Sequence, residues 1–192
     1  MQLNPHIKKR VVAIVGMAGS GKSDTAEFFK KHEYPVIRFG DITDKELAAR
    51  GLELNEDNEK MISKHLRDQH GMDVYAKKSL PQVEEALKGS DIVFIDGLYS
   101  WHEYVFLKNR LNASLVVLLV YSPPRIRYKR LSQREHRPLT KKEAIGRDER
   151  EIEDQRKAGP IAMADYVINN FGTKESLKKN LVKFLKVIKH EK

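Results

Sequence analysis

The chain has 192 residues, no cysteine, and a formal net charge of +9 from 36 Lys and Arg against 27 Asp and Glu. That length suits one domain with a real core, and the missing cysteine excludes disulfides, zinc–thiolate clusters and a thiol nucleophile. No apolar run approaches the ~20 residues a membrane helix needs, and the first ten residues lack the apolar centre of an export signal.

The expectation is therefore a single cytoplasmic domain spanning 1–192, with no membrane contact. Charge is uneven: residues 125–157 hold 12 Lys and Arg against 7 Asp and Glu, and residues 174–192 hold 7 against 2.

Taken in chain order, Val11–Val15 is a short β-branched run ending at Gly16, the mark of a buried strand. Ser20–His32 follows as a helix with Ala26, Phe28 and Phe29 on its apolar side. Tyr34–Phe39 predicts a second strand, entered through Pro35. Lys45–Gly71 predicts helix with a break near Gly51 and Asn55, and Pro81–Lys88 a short helix whose first turn begins at the proline. Asp91–Ile95 predicts a third strand and Trp101–Leu111 a helix. Leu115–Tyr121, the most hydrophobic segment, predicts the central strand. After Pro123-Pro124, residues 125–157 read as charged helix interrupted near Pro138. Tyr166–Asn169 is the last strand. Lys174–His190 closes the chain as a helix with Leu177, Leu181, Phe184, Leu185 and Ile188 at helical spacing. Strands alternating with helices predict a three-layer α/β/α fold around a parallel five-stranded sheet.

Between the first strand and its helix stands Gly16-Met17-Ala18-Gly19-Ser20-Gly21-Lys22-Ser23, which matches G-x-x-x-x-G-K-[ST]. Glycines let the backbone wrap an anion, and the helix that starts there adds the positive end of its dipole. Lys22 has the reach for β- and γ-phosphates, and the Ser23 hydroxyl suits Mg²⁺. This P-loop, or Walker A, signature makes residues 16–23 the expected binding site for a nucleoside triphosphate with Mg²⁺.

Asp96 ends the third strand, where ligands of open α/β sheets sit. It reads either as a second Mg²⁺ ligand or as a helix cap. After the second strand, Asp41 reads either as the group that orients an acceptor hydroxyl or as a helix cap, with Asp44 in reserve. Arg38 and Arg50 are further substrate anchors to test. Arg127, Arg130, Arg134 and Arg137 recur every three or four residues and would share one helix face. That face is either solvated, or part of a lid over residues 123–160 that brings Arg130 and Arg134 onto the transferred phosphoryl group with help from Arg147 and Arg150. The His residues, His102 and His136 among them, show no metal-ligand spacing. Trp101 and Tyr104 fit a core or groove wall.

These motifs resemble the nucleoside and nucleotide kinase group of P-loop proteins, and dephospho-CoA kinase in particular. The resemblance runs through Gly16–Ser23, Gly40-Asp41, Arg130-Leu131 with Arg134, Leu139–Ala144 with Arg147, and Ala164–Asn170 with Gly172 and Leu177. Leu66-Arg67, Gly71-Met72 and Ala76-Lys77 are similar to an archaeal P-loop family described as kinase-like. The Ile95-Asp96-Gly97 corner is similar to one in adenylate kinase, without the arginine that follows it there. The His-Pro pair usual after the acceptor corner of dephospho-CoA kinases is absent too.

The resemblance implies ATP, Mg²⁺ and an ATP-dependent transferase acting on a small-molecule hydroxyl or phosphate. The rival expectation is a regulatory P-loop NTPase that hydrolyses slowly and signals to a protein or nucleic-acid partner. Nucleic acid on the basic surface lacks an interleaved aromatic motif to support it. The oligomeric state stays open between monomer and small homo-oligomer.

Overall fold

Apolar strands that are buried on both faces need helices on both faces. The computed structural model, which describes residues 9–135 and 137–190, has that arrangement. The elements are β1 (Arg10–Val15), α1 (Lys22–Lys31), β2 (Val36–Arg38), α2 (Asp41–Ala49), α3 (Glu56–His70), α4 (Val74–Gly89) and β3 (Ile92–Asp96). They continue with α5 (Trp101–Arg110), β4 (Ser114–Tyr121), α6 (Pro124–Ser132), α7 (Lys141–Glu153), α8 (Ala158–Ala162), β5 (Tyr166–Asn169) and α9 (Lys174–His190). The five strands are parallel, in the order β2-β3-β1-β4-β5.

Successive side chains of β1 point to opposite faces. Val12 and Ile14 meet α1 and α9, where Phe29 stacks on Phe94 at 3.7 Å between ring centroids. Val11, Ala13 and Val15 meet the layer built by α2 to α5 and the α8 end. Leu177, Leu181, Phe184, Leu185 and Ile188 of α9 are all buried. Five such side chains supply on the order of 10 kcal/mol of apolar burial before chain entropy is counted. Among the described residues no helix is long and apolar enough to cross a membrane.

Two expectations about the elements need correction. The central strand is β1, flanked by β3 and β4, and not the Leu115–Tyr121 strand. Hydrophobicity reports burial and not order; β4 lies one place out and ends with Tyr121 exposed. The helix expected to begin at Pro81 begins at Val74, with Pro81 inside it. Val74, Tyr75, Ala76, Ser79 and Val83 are buried, and that packing outweighs the one backbone bond the proline removes. Pro81 itself lies on the exposed side. The expectation for the first ten residues falls partly outside the described residues, as does His136.

A buried carboxyl holds the start of α5. Ser100 and Glu103 form a reciprocal cap, with Glu103 Oε2 accepting from the backbone N–H of Tyr99 (2.7 Å) and Ser100 (3.0 Å). Burial pushes the Glu103 carboxyl up to about 7 from its ordinary 4.5, against the pull of the Arg67 charge. Between those two values the folded chain keeps a proton that the unfolded chain has released, so stability falls as pH rises through that window. Glu103→Gln removes this dependence while keeping an oxygen for the cap. Its stability relative to the parent chain should improve by about 3 kcal/mol between pH 4 and pH 8 in urea titrations.

Candidate active site

Gly16–Ser23 joins β1 to α1 and turns sharply enough that Gly16, Gly19 and Gly21 all adopt positive φ. A side chain at Gly16 would collide with the Val120 carbonyl of β4, and one at Gly19 would meet the Arg127 carbonyl at 2.8 Å. The loop is braced from behind. Asn170 Nδ2, just past β5, donates to the Ser20 carbonyl (2.8 Å), and Arg127 Nη1 to the Ala18 carbonyl (3.2 Å).

Lys22 reaches back across the loop to the Met17 carbonyl at 3.2 Å. Its ammonium is drawn down to about 7, first by burial and then by the charge of Lys157. Such a cation gains from an anion placed beside it. Ala18, Gly19, Gly21, Lys22 and Ser23 line a cleft of about 1140 Å³. Gly16 and Ser20 are buried in the loop's backing.

Parallel pairing sets Asp96 opposite Ile14 of β1 and Arg38 of β2, at the carboxyl edge of the sheet beside the loop. Burial raises the Asp96 carboxyl, and the charges of Lys22 and Arg38 oppose that rise. Among the described residues no hydrogen-bond donor reaches this carboxylate. Asp96 and the Ser23 hydroxyl at the start of α1 both line the cleft. Two hard oxygen donors flanking a phosphate loop fit Mg²⁺, which takes few protein ligands and completes its shell with phosphate and water. No group of three or more His, Cys, Asp or Glu suited to a metal occurs among the described residues, so these two donors form no self-sufficient cage.

Asp41 and Asp44 occupy the first turn of α2. Arg38 Nη1 donates to both, at 2.8 Å and 2.5 Å. Burial alone would lower the Arg38 guanidinium, but these bonds hold it above its ordinary value. Asp41 is exposed and lies outside the cleft lining, whereas Asp44 lines the cleft and its Oδ1 is buried with no donor. Thr43, next to it, shares a 2.7 Å hydrogen bond with the Tyr75 hydroxyl, and the Tyr75 ring carries the Arg67 guanidinium at 4.8 Å. Arg50 pairs with Glu46 at the far end of α2 and is not among the cleft residues.

The four arginines expected on one helix face are not on one helix. α6 ends at Ser132, so Arg134 and Arg137 stand in the connection to α7, Arg137 with φ 55°. Arg127 turns inward and is only 4% exposed, bound through both terminal nitrogens to Asp148 of α7 at 2.8 Å and 2.6 Å. Arg130 donates to Ser122 Oγ (3.0 Å) and the Asn170 carbonyl (3.0 Å), and lines the cleft. Arg134 also lines it; burial lowers its guanidinium, and the charges of Arg147 and Arg137 lower it further. Arg137 and Arg147 cross the cleft to Glu59 (2.6 Å) and Glu56 (2.9 Å) of α3.

Sequence reasoning missed a carboxylate that binds the loop directly. Glu151, at the end of α7, is buried, and its Oε2 accepts from the Ala18 backbone N–H (3.3 Å) and from Lys157 Nζ (2.7 Å). Its Oε1 accepts from Arg147 Nε at 3.3 Å. Burial would raise this carboxyl, but Lys157 and Lys22 hold it at about 2. The Arg147–Glu151 pair has a legible i,i+4 spacing. Lys157 has no such signal, because it meets Glu151 only after the chain turns past Asp154.

The family model for the AAA domain matches residues 12–157. A UPF0200 protein of Thermococcus kodakarensis is 35% identical over 178 residues, which cover 91% of this chain and 96% of that one. Among solved structures, a shikimate kinase from Bacteroides thetaiotaomicron superposes with a TM-score of 0.58 at 15% identity, covering 93% of this chain and 98% of its own. A dephospho-CoA kinase from Campylobacter jejuni gives a TM-score of 0.56 at 18% identity, covering 94% and 96%. At those identities the structural likeness speaks for the fold, which is that of P-loop kinases.

Proposed function

The chain belongs to the AAA-domain family and to the UPF0200 proteins, and from that premise we propose that it transfers the γ-phosphoryl group of ATP to a small-molecule acceptor. The observation that carries this reading is the pairing, in one cleft, of the Gly16–Ser23 loop with Asp96 at the end of β3 and Asp44 in the first turn of α2. The loop grips the phosphates, with Lys22 on their terminal portion. Ser23 and Asp96 hold Mg²⁺, which when bound neutralises phosphate charge.

Asp44, with its undonated oxygen, orients the acceptor hydroxyl, and Asp41 steadies Arg38 beside it. Arg130 and Arg134 lie on the segment 123–160, which closes as a lid and confines the transfer. Most of the rate gain comes from positioning and from cations placed where charge spreads.

The test is γ-labelled ATP offered with a panel of acceptors: dephospho-CoA, nucleosides, nucleotides and hydroxy acids. Transfer of label to one acceptor class supports the reading. Release of inorganic phosphate at a rate indifferent to every acceptor favours a nucleotide-driven switch instead. One feature supports that second reading: Arg137, Arg147 and Arg150 latch the lid segment to Glu56 and Glu59 across the cleft, a contact that closure would have to rearrange.

Asp44→Asn should lower the transfer rate by about 10²–10⁴ with the KM for ATP nearly unchanged, as loss of a proton-accepting group does. Asp41→Asn should stay within about threefold of the parent, because Arg38 retains Asp44. Steady-state kinetics on the labelled acceptor checks both. Equal losses in the two variants would return the acceptor role to Asp41.

A further inference from the structure

An anion is already seated on the phosphate loop, and it comes from the chain. Glu151 Oε2 takes the Ala18 N–H, and the carboxylate sits in the combined field of Lys22, Lys157 and Arg147. Lys157 is 1% exposed, yet lines the cleft; its Nζ binds Glu151 and lies 5.1 Å from the Tyr99 ring centroid. Lys22 lines the same cleft. Two ammoniums that line one cleft repel each other unless an anion lies close to them, and Glu151 supplies one negative charge where a terminal phosphate supplies two.

We propose that Glu151 is an internal competitor for the terminal-phosphate position of the loop, and that Lys157, released from it, joins Lys22 as a second ammonium on that phosphate. The loop then distinguishes a triphosphate from a diphosphate through a residue that lies 135 positions away in the chain. A triphosphate that displaces Glu151 inherits Lys157 and Arg147 together. A diphosphate, ending short of that position, leaves Glu151 in place and gains neither. Arg147 carries the exchange outward, since it holds Glu151 on one side and Glu56 of α3 on the other.

The proposal rests on the reading of Gly16–Ser23 as a nucleotide site but not on any acceptor. Its test therefore uses binding alone: calorimetric titration with Mg·ADP and with the non-hydrolysable Mg·AMP-PNP. Glu151→Gln keeps the shape and removes the competing charge, and should tighten AMP-PNP about three- to tenfold while moving ADP less. Lys157→Met should weaken AMP-PNP about 10- to 100-fold and ADP less than threefold, as loss of a charge-assisted bond to the terminal phosphate alone requires.

Lys157→Met leaves Glu151 without its main partner, so the double variant Glu151→Gln/Lys157→Met, which removes both charges, guards against misfolding. It should show the same reduced triphosphate preference, and Lys157→Arg should restore most of it. Equal losses for the two nucleotides in the double variant, or an AMP-PNP affinity unchanged or lowered by Glu151→Gln, would overturn the assignment. Loss of the kinase reading would show only in the acceptor labelling and would leave these titrations interpretable.

Discussion

Lys22→Ala is expected to lower ATP turnover by about 10²–10³ while leaving the chain at least as stable as the parent. The rate loss follows from removing a preorganised cation at the point where negative charge develops in phosphoryl transfer. The stability half comes from the geometry. The Lys22 side chain is half-buried, shares the cleft with Lys157, and among the described residues finds only the Met17 carbonyl as a hydrogen-bond acceptor, at 3.2 Å. A charge in that position costs the fold something and serves the ligand, so its removal relieves a conflict and opens no large cavity. Turnover assays paired with thermal melts check both halves. A variant that loses activity and melts early in parallel would show Lys22 to be a structural residue. A variant with unchanged ATP affinity and rate would remove the phosphate loop from the mechanism.

The phosphate loop was legible because its chemistry is local. Eight consecutive residues lie between a β-branched strand and a helix, and the glycine positions and Lys22 are set by spacing along the chain. The layering was legible for the same reason, since β1, β3 and β4 are short apolar runs and α9 repeats its apolar residues at helical spacing. The supports of the loop were not legible. Asn170 holds Ser20 from 150 residues away, and Arg127 holds Ala18 from 109.

Arg127 is the instructive case. In sequence it shares a period with Arg130 and Arg134, and only the fold shows that it is turned inward to Asp148. Asp41 and Asp44 read alike too, as cap-forming acids three residues apart. Their difference arises from which one the helix turn directs into the cleft. Periodicity identifies a face, whereas partners brought together by topology decide what that face does.

Asp148→Ala should cost about 3–5 kcal/mol, a large share of the ~5–15 kcal/mol that holds a domain of this kind folded. Arg127 is nearly inaccessible to water and spends both terminal nitrogens on Asp148, with Tyr128 adding a 2.9 Å hydrogen bond to the same carboxylate. Deleting the carboxylate strands a guanidinium whose remaining hydrogen-bond acceptors, among the described residues, are the Ala18 and Ser122 carbonyls, with the Tyr128 ring at 5.3 Å. Much of the loss is the desolvation of an uncompensated charge and not the worth of the pair itself. Arg127→Met/Asp148→Leu, which removes both charges and keeps apolar volume, should therefore recover most of the stability in urea titrations.

It should not recover nucleotide affinity to the same degree. Arg127 Nη1 is the donor on the Ala18 carbonyl, which shares its peptide group with the Gly19 N–H, a backbone donor of the phosphate loop. With that brace gone, the loop peptide is free to rotate. A double variant that is stable yet binds Mg·AMP-PNP at least tenfold more weakly would separate the two duties of Arg127. Full recovery of both would mean that the loop needs no brace from α6.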